Sequence, residues 1–190
     1  MTKTVMIVGV GGQGTLLASR LLGNVMLEKG LDVKISEVHG MSQRGGSVVT
    51  YVRYGEKVYS PIADIGTADI IISFEQLEAA RWLPYLKKGG KIVMNTQKID
   101  PMPVITGAAE YPDNIEQKLN EKDVNVTAVD ALALAEEAGT SKAVNTVLLG
   151  VCAKQAGIPE SAFYDAIEKT VKPKFIEINK KAFDLGYNAK

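Results

Sequence analysis

The chain has 190 residues, 46% of them apolar and 23% charged, with 22 basic against 22 acidic side chains. This is the composition of one globular domain with a full core, and it excludes two large ones. The even charge leaves no electrostatic footprint for nucleic acid or an anionic membrane surface, so small molecules and proteins remain as partners.

Residues 5–8 form a short apolar run that ends at Gly9, and from 16 to 27 the apolar residues recur at helical spacing. This pattern predicts a strand, a glycine turn and a helix. Gly30 stops the helix, residues 33–36 predict a second strand, and 37–46 is a loop rich in Gly, Ser and other polar residues. Residues 48–54 are β-branched and aromatic and predict a third strand, with Gly55 and Glu56 as a turn and Val58 and Tyr59 beginning a return strand. The continuous apolar run 68–74 suits a strand covered on both faces. A helix is predicted over 75–86, stopped by Gly89 and Gly90, and another buried strand over 91–95. The alternation argues for an α/β, Rossmann-like, three-layer fold with a mostly parallel sheet.

The segment 96–113, with Pro101, Pro103 and Pro112, reads as mostly irregular and is the best candidate for a long functional loop. A short helix over 114–122 and a strand over 124–129 follow, and Asp130 is placed to cap a helix over 131–138. The C-terminal part, 142–190, reads as helical throughout, with helices over 142–156, 161–170 and 173–185. The whole of 1–190 is expected to be a single domain. No run approaches the roughly 18 apolar residues of a membrane helix, and residues 1–4 lead straight into the first strand without a signal peptide's apolar core. The expected compartment is the cytoplasm. Cys152 is the only cysteine and cannot alone supply the thiolates of a zinc or iron–sulfur centre. Its apolar helical context predicts a buried, structural thiol.

Two loops carry chemistry. Gly9-Val10-Gly11-Gly12-Gln13-Gly14 fits G-x-G-x-x-G between a strand and a helix, where backbone N–H groups and a helix N-terminus can approach a phosphate. Glu37, 23 residues after Gly14, stands where a ribose-binding acid would, so the turn alone permits a stand-alone NAD- or nucleotide-binding protein. A dehydrogenase also needs a proton-transfer group, and the one imidazole is His39 in the following loop. The doubled glycine resembles the opening of adenylating enzymes of the ubiquitin-activating type, but their second motif is replaced here by Ser36 to Gly46. That second loop interleaves charged and hydroxyl groups with glycines. Arg44, Gly45, Gly46 and Ser47 offer a guanidinium, backbone donors and a hydroxyl, which suits phosphate or carboxylate recognition.

The glycine turn, the stretch from Ser36 to Val48, Tyr59-Ser60-Pro61-Ile62, Ala68-Asp69, Phe74 to Ala79 and Tyr111-Pro112 together resemble the gamma subunit or domain of the 2-oxoacid:ferredoxin oxidoreductases. The form of the second loop is most similar to the small, beta subunit of the indolepyruvate branch. The resemblance implies an enzyme that decarboxylates a 2-oxoacid on thiamine diphosphate, passes two electrons through iron–sulfur clusters to ferredoxin and releases an acyl-CoA. In the indolepyruvate branch the substrates are arylpyruvates and the product is an arylacetyl-CoA.

By the same resemblance this chain is the accessory half, inactive alone and binding no cofactor by itself. Thiamine diphosphate, its magnesium ion and the 4Fe-4S clusters are expected on the larger alpha subunit, and coenzyme A is the co-substrate. No catalytic residue and no metal ligand is assigned to this chain. Gly9, Gly11, Gly12, Gln13, Gly14, Arg44, Gly45, Gly46 and Ser47 are the candidates for contacting coenzyme A. Glu37, His39, Met41, Ser42 and Gln43 are expected to hold the subunit contact or orient the loop, with Glu37 turned to His39, Arg44 or a backbone turn. The larger subunit is expected to dock over the two loops and part of 96–113.

Overall fold

The computed structural model of the chain describes residues 1–37, 41–122 and 124–189. Six strands form one sheet in the order β2-β3-β1-β4-β5-β6. They are β1 Lys3–Val10, β2 Asp32–Glu37, β3 Ser47–Gly55, β4 Ala68–Ser73, β5 Leu86–Asn95 and β6 Asn125–Val129. The pairs β1/β4, β4/β5 and β5/β6 are parallel, whereas β3 runs antiparallel to both β1 and β2. One strand in six therefore runs against the rest, and it sits between the first two in sequence.

Helices cover both faces. On one side lie α1 (Thr15–Glu28), α5 (Ala131–Ala138), α6 (Val144–Ala156), α7 (Glu160–Thr170) and α8 (Ile176–Asn188); on the other lie α2 (Gln76–Trp82) and α4 (Ile115–Asn120). Double coverage explains the unbroken apolar strands. Val5 and Ile7 enter the larger core cluster with Ile70 and Ile72, while Met6 and Val8 enter the smaller one with Ile71, Ile92 and Met94. Leu77, Trp82, Tyr85 and Leu86 pack against the smaller cluster.

Two expectations are corrected. Val58 and Tyr59 begin no return strand, because both edges of β3 are already taken by β1 and β2. Val58 instead plugs the core at 2% exposure and donates its N–H to Asp32 Oδ2 at 2.9 Å. The helix expected over 75–86 stops at Trp82, since Pro84 has no N–H with which to continue it. Residues Leu83–Tyr85 make a 3-10 turn, and Leu86 to Gly90 belong to β5 rather than to a helix end. The segment 96–113 contains one short helix, α3 Met102–Ile105. Asp130 caps α5 as expected, its Oδ1 accepting the N–H of Ala133 at 3.0 Å.

The helical C-terminal part holds together by close backbone approach. A Cβ on Gly186 would lie 2.0 Å from the carbonyl oxygen of Val147, and one on Gly150 would lie 2.2 Å from that of Phe183. Thr146 Oγ1 bonds Asn179 Oδ1 at 2.7 Å, so α6 and α8 run side by side in the same direction. Gly186→Ala must push these helices apart at a cost of about 1–3 kcal/mol, which thermal unfolding should register as a fall of several degrees.

Cys152 is 1% exposed, and burial pushes its thiol pKa up to about 12. Burial raises the Tyr54 phenol to about 12 as well. The unfolded chain releases these protons near pH 8.5 to 10, where the folded chain keeps them. Stability is then full below that range and falls as the pH rises through it. Denaturation midpoints followed from about pH 7 to pH 11 should decline accordingly, and Cys152 should resist a thiol reagent at mildly alkaline pH until the protein unfolds.

Candidate functional site at the carboxyl edge of the sheet

β1 ends at Val10, and the glycine turn carries the chain into α1 with Gly14 as its N-cap at φ 87°, a conformation that glycine adopts without strain. Among the described residues no side chain caps the helix, and its first turn holds no acid. The N-terminal N–H groups and the helix dipole are therefore presented outward.

Because β3 is antiparallel, it starts at this same edge, and its leading loop lies on the glycine turn. Gly11 N–H donates to Gly46 O at 2.9 Å, and within the loop Arg44 N–H bonds Met41 O at 2.9 Å and Gly46 N–H bonds Ser42 O at 3.0 Å. The 3-10 turn Met41–Gln43 packs so closely that a Cβ on Gly11 would stand 2.4 Å from the Ser42 carbonyl oxygen and the Gln43 carbonyl carbon. The missing side chain at position 11 thus makes room for protein backbone.

Gln13 works as a staple. Its Oε1 accepts from Val10 N–H at 2.8 Å, and its Nε2 donates to Phe74 O at 3.1 Å and to Gln97 Oε1 at 3.2 Å. Gly9 gives this amide room, since a Cβ there would meet Gln13 Oε1 at 2.8 Å. Asn95, fully buried, continues the network by donating to Phe74 O and accepting from Ala131 N–H, both at 3.1 Å. The ends of β1, β4 and β5 and the start of α5 are tied together before any ligand arrives.

Two clefts flank the α1 N-terminus, and Gly12 and Gly14 line both. The first, about 330 Å³, runs over Thr15, Leu16, Gln43, Val48 and Thr50. Thr15 is 6% exposed and Thr50 2%; neither hydroxyl has a hydrogen-bond partner among the described residues, and since no buried side-chain nitrogen or oxygen there lacks one, both oxygens stay accessible. The second, about 500 Å³, runs over Gln97, Ile99, Leu132 and Lys142. Lys142 and Arg44 are both exposed, and neither makes an ion pair among the described residues. Thr15, Thr50 and Lys142 escaped the sequence reading. Thr15 was within reach of it, directly after the last glycine of the motif, whereas Thr50 and Lys142 arrive only through the sheet register and the seating of α6.

A third cleft, about 190 Å³, separates Gly45, Gly46 and Ser47 from Ile99 to Met102. Its floor is acidic: Glu75 is 1% and Glu78 4% exposed. Glu78 accepts from the Ser47 hydroxyl, from Arg81 Nε at 2.9 Å and from Trp82 Nε1 at 3.2 Å. Glu75 Oε2 caps α2 through Glu78 N–H at 2.9 Å, and its Oε1 accepts from Ile99 N–H at 3.2 Å and from the Tyr111 hydroxyl. Burial, together with that carboxylate, holds the Tyr111 phenol above its ordinary range. The Ser47 hydroxyl is thus engaged with a carboxylate, which leaves the anion-compatible part of the loop at Arg44 and Gly45.

Glu37 ends β2, one strand further from β1 than in an uninterrupted dinucleotide fold, a displacement of roughly 5 Å. Among the described residues it accepts from Ser19 Oγ on α1 at 3.1 Å; its expected partner His39 lies outside them. The same position disfavours a ribose-binding role. Met41 is 75% exposed, Ser42 is exposed and Gln43 lines the first cleft. His39, with Val38 and Gly40, lies outside the described residues. Among the described residues no group of three or more His, Cys, Asp and Glu side chains could hold a metal ion, and no helix is long and apolar enough to cross a membrane.

Gly11→Ala should lift the 41–47 loop from the glycine turn. Tryptic cleavage after Arg44 is then expected to accelerate severalfold while cleavage elsewhere keeps its rate; an unchanged rate at Arg44 would contradict this packing.

The model of the family described as pyruvate ferredoxin/flavodoxin oxidoreductase matches residues 4–189. The chain is 46% identical over 190 residues to indolepyruvate oxidoreductase subunit IorB of Pyrococcus horikoshii, covering 97% of this chain and 94% of that protein. It is 32% identical over 187 residues to ketoisovalerate oxidoreductase subunit VorA of Methanothermobacter marburgensis, covering 96% of this chain but 35% of that one. Among solved structures, the 2-oxoglutarate:ferredoxin oxidoreductase of Magnetococcus marinus, with 2-oxoglutarate, coenzyme A and succinyl-CoA bound, shares the fold at a TM-score of 0.74 and 20% identity, over 98% of this chain and 30% of that chain. With nearly its full length matched by the family model, the chain belongs to the pyruvate ferredoxin/flavodoxin oxidoreductase family.

Proposed function

We propose that the chain is the small subunit of an indolepyruvate-type 2-oxoacid:ferredoxin oxidoreductase and that its carboxyl edge forms part of the coenzyme A site. The complex converts an arylpyruvate, coenzyme A and oxidised ferredoxin to an arylacetyl-CoA, carbon dioxide and reduced ferredoxin. Identity to indolepyruvate oxidoreductase subunits along the whole chain supports the substrate class. With one cysteine, 1% exposed, this chain has no donor set for a 4Fe-4S cluster. Clusters, thiamine diphosphate and its magnesium ion then belong to the larger subunit, which carries out decarboxylation and electron transfer.

The observation that carries the coenzyme A reading is the pair of threonines, 6% and 2% exposed, whose hydroxyls remain accessible and make no hydrogen bond among the described residues, beside a helix N-terminus that no described side chain caps. A diphosphate is the part of coenzyme A that this arrangement fits. Its oxygens accept from the first N–H groups of α1 and from Thr15, while Arg44 and Lys142 supply compensating charge. The two clefts on either side give the nucleoside and the pantetheine arm separate directions. The chain thereby binds and orients the thiol carrier, and the bond-making atoms stay with the larger subunit. That subunit docks over this edge, where Met41, Met102 and Ile105 are 75%, 66% and 65% exposed.

In the assembled enzyme, Thr15→Val and Arg44→Ala should each raise the KM for coenzyme A roughly tenfold, the scale of one hydrogen bond to a charged group. The KM for indolepyruvate should hold. An unchanged KM for coenzyme A in both variants contradicts the coenzyme A role, and a tagged chain that fails to co-purify with a larger thiamine diphosphate and iron–sulfur protein contradicts the subunit reading itself.

A further inference from the structure

We propose that Gln97 is a ligand-binding residue of the second cleft, a fixed carboxamide donor that takes an amide carbonyl of the pantetheine arm of coenzyme A. This rests on the coenzyme A reading above and adds to it a residue and a direction. Gln97 follows β5, where the backbone is held from several sides. Thr96 N–H donates to Val129 O at 3.0 Å, Gln97 O accepts from Gln76 N–H at 3.1 Å, and Ile99 N–H donates to Glu75 Oε1 at 3.2 Å.

A primary amide has a donor end and an acceptor end, and two backbone N–H groups decide which end of Gln97 faces outward. Val10 N–H needs an acceptor, so it holds Gln13 Oε1 at 2.8 Å and leaves Gln13 Nε2 as the donor. Ala131 N–H does the same to Asn95, whose Oδ1 accepts from it at 3.1 Å. Both amides direct their N–H groups to Phe74 O, each at 3.1 Å. Both also reach one further acceptor, Gln97 Oε1, at 3.2 Å from Gln13 and 3.4 Å from Asn95. The Gln97 oxygen is therefore turned into the network and its Nε2 away from it. That Nε2 has no hydrogen-bond partner among the described residues, and since no buried side-chain nitrogen or oxygen there lacks one, it stays accessible.

The second cleft is the one that Gln97 lines, between the α1 N-terminus and the apolar Ile99, Leu132 and Val144. An uncharged donor among apolar walls matches an uncharged acceptor on a largely apolar chain, which describes the amides of pantetheine rather than a phosphate. Exposed Lys142, in the same cleft, stays with the diphosphate at the α1 N-terminus. The nucleoside is then left with the first cleft, over Leu16, Val48 and Thr50.

The test uses the assembled oxidoreductase with S-methylpantetheine and ADP as separate competitive inhibitors against coenzyme A. Gln97→Met removes the outward donor and keeps the length of the side chain. It should raise the KM for coenzyme A and the inhibition constant of S-methylpantetheine about fivefold or more, the scale of one hydrogen bond between uncharged groups. The inhibition constant of ADP and the KM for indolepyruvate should hold. Gln97→Glu keeps an oxygen for Gln13 and Asn95 to bond and removes only the donor, so it should weaken S-methylpantetheine at least as much, with the melting temperature unchanged. Equal losses of S-methylpantetheine and ADP in Gln97→Met mark damage to the glycine turn and overturn the proposal. If Thr15→Val and Arg44→Ala raise the KM for coenzyme A while both Gln97 variants leave it unchanged, this inference falls and the coenzyme A reading stands. If none of the four moves it, that reading falls as well.

Discussion

A strand that runs against its neighbours has its start where theirs end, and that is what β3 supplies. Placed between β2 and β1, it delivers its leading loop onto the glycine turn at the carboxyl edge. The bond from Gly11 to Gly46 and the backbone contact of Gly11 with Ser42 and Gln43 make the two loops one surface. The same insertion moves Glu37 away from β1 and into the company of Ser19. A glycine pattern that would otherwise serve a dinucleotide is thereby redirected. One of its glycines admits a neighbouring loop, and its glutamine ties strand ends together.

What remains available for a ligand is consequently narrower than the motif and lies beside it. Gly12, Gly14 and the α1 N-terminus stay open, with Thr15 and Thr50 below and Arg44 and Lys142 at the margins. The acidic floor formed by Glu75 and Glu78 confines anion-compatible ground to one side of the 41–47 loop. Those carboxylates have a different task, since Glu75 anchors Ile99 and Tyr111 and so fixes the ends of the 96–113 segment against α2. The acid and hydroxyl of the second loop that looked chemical in isolation are partly structural in the fold.

Most of the architecture was legible because local signals and global packing agree. Buried strands 68–74 and 91–95, the Asp130 cap and the C-terminal helices all follow from patterns of a few residues. The failures occur where a distant partner decides. Val58 and Tyr59 have strand-like side chains, but β3 had no edge left to offer them. Gly89 and Gly90 looked like a helix end, although Pro84 had already ended the helix and β5 reached back to Leu86. Thr50 and Lys142 carry no motif of their own, and only register and helix seating bring them to the glycine turn.

In the function proposed above, a chain organised this way positions a co-substrate and a partner, and the reacting atoms belong to the larger subunit. Its single thiol is sealed in the core, while Arg44 and Lys142, without ion-pair partners among the described residues, lie exposed near the α1 N-terminus. The most direct measurement is the structure of the assembled oxidoreductase with coenzyme A bound. The account predicts the diphosphate of coenzyme A against the N–H groups at the start of α1, within hydrogen-bond reach of Thr15. Coenzyme A held wholly by the larger chain, with the α1 N-terminus covered by protein, would contradict it.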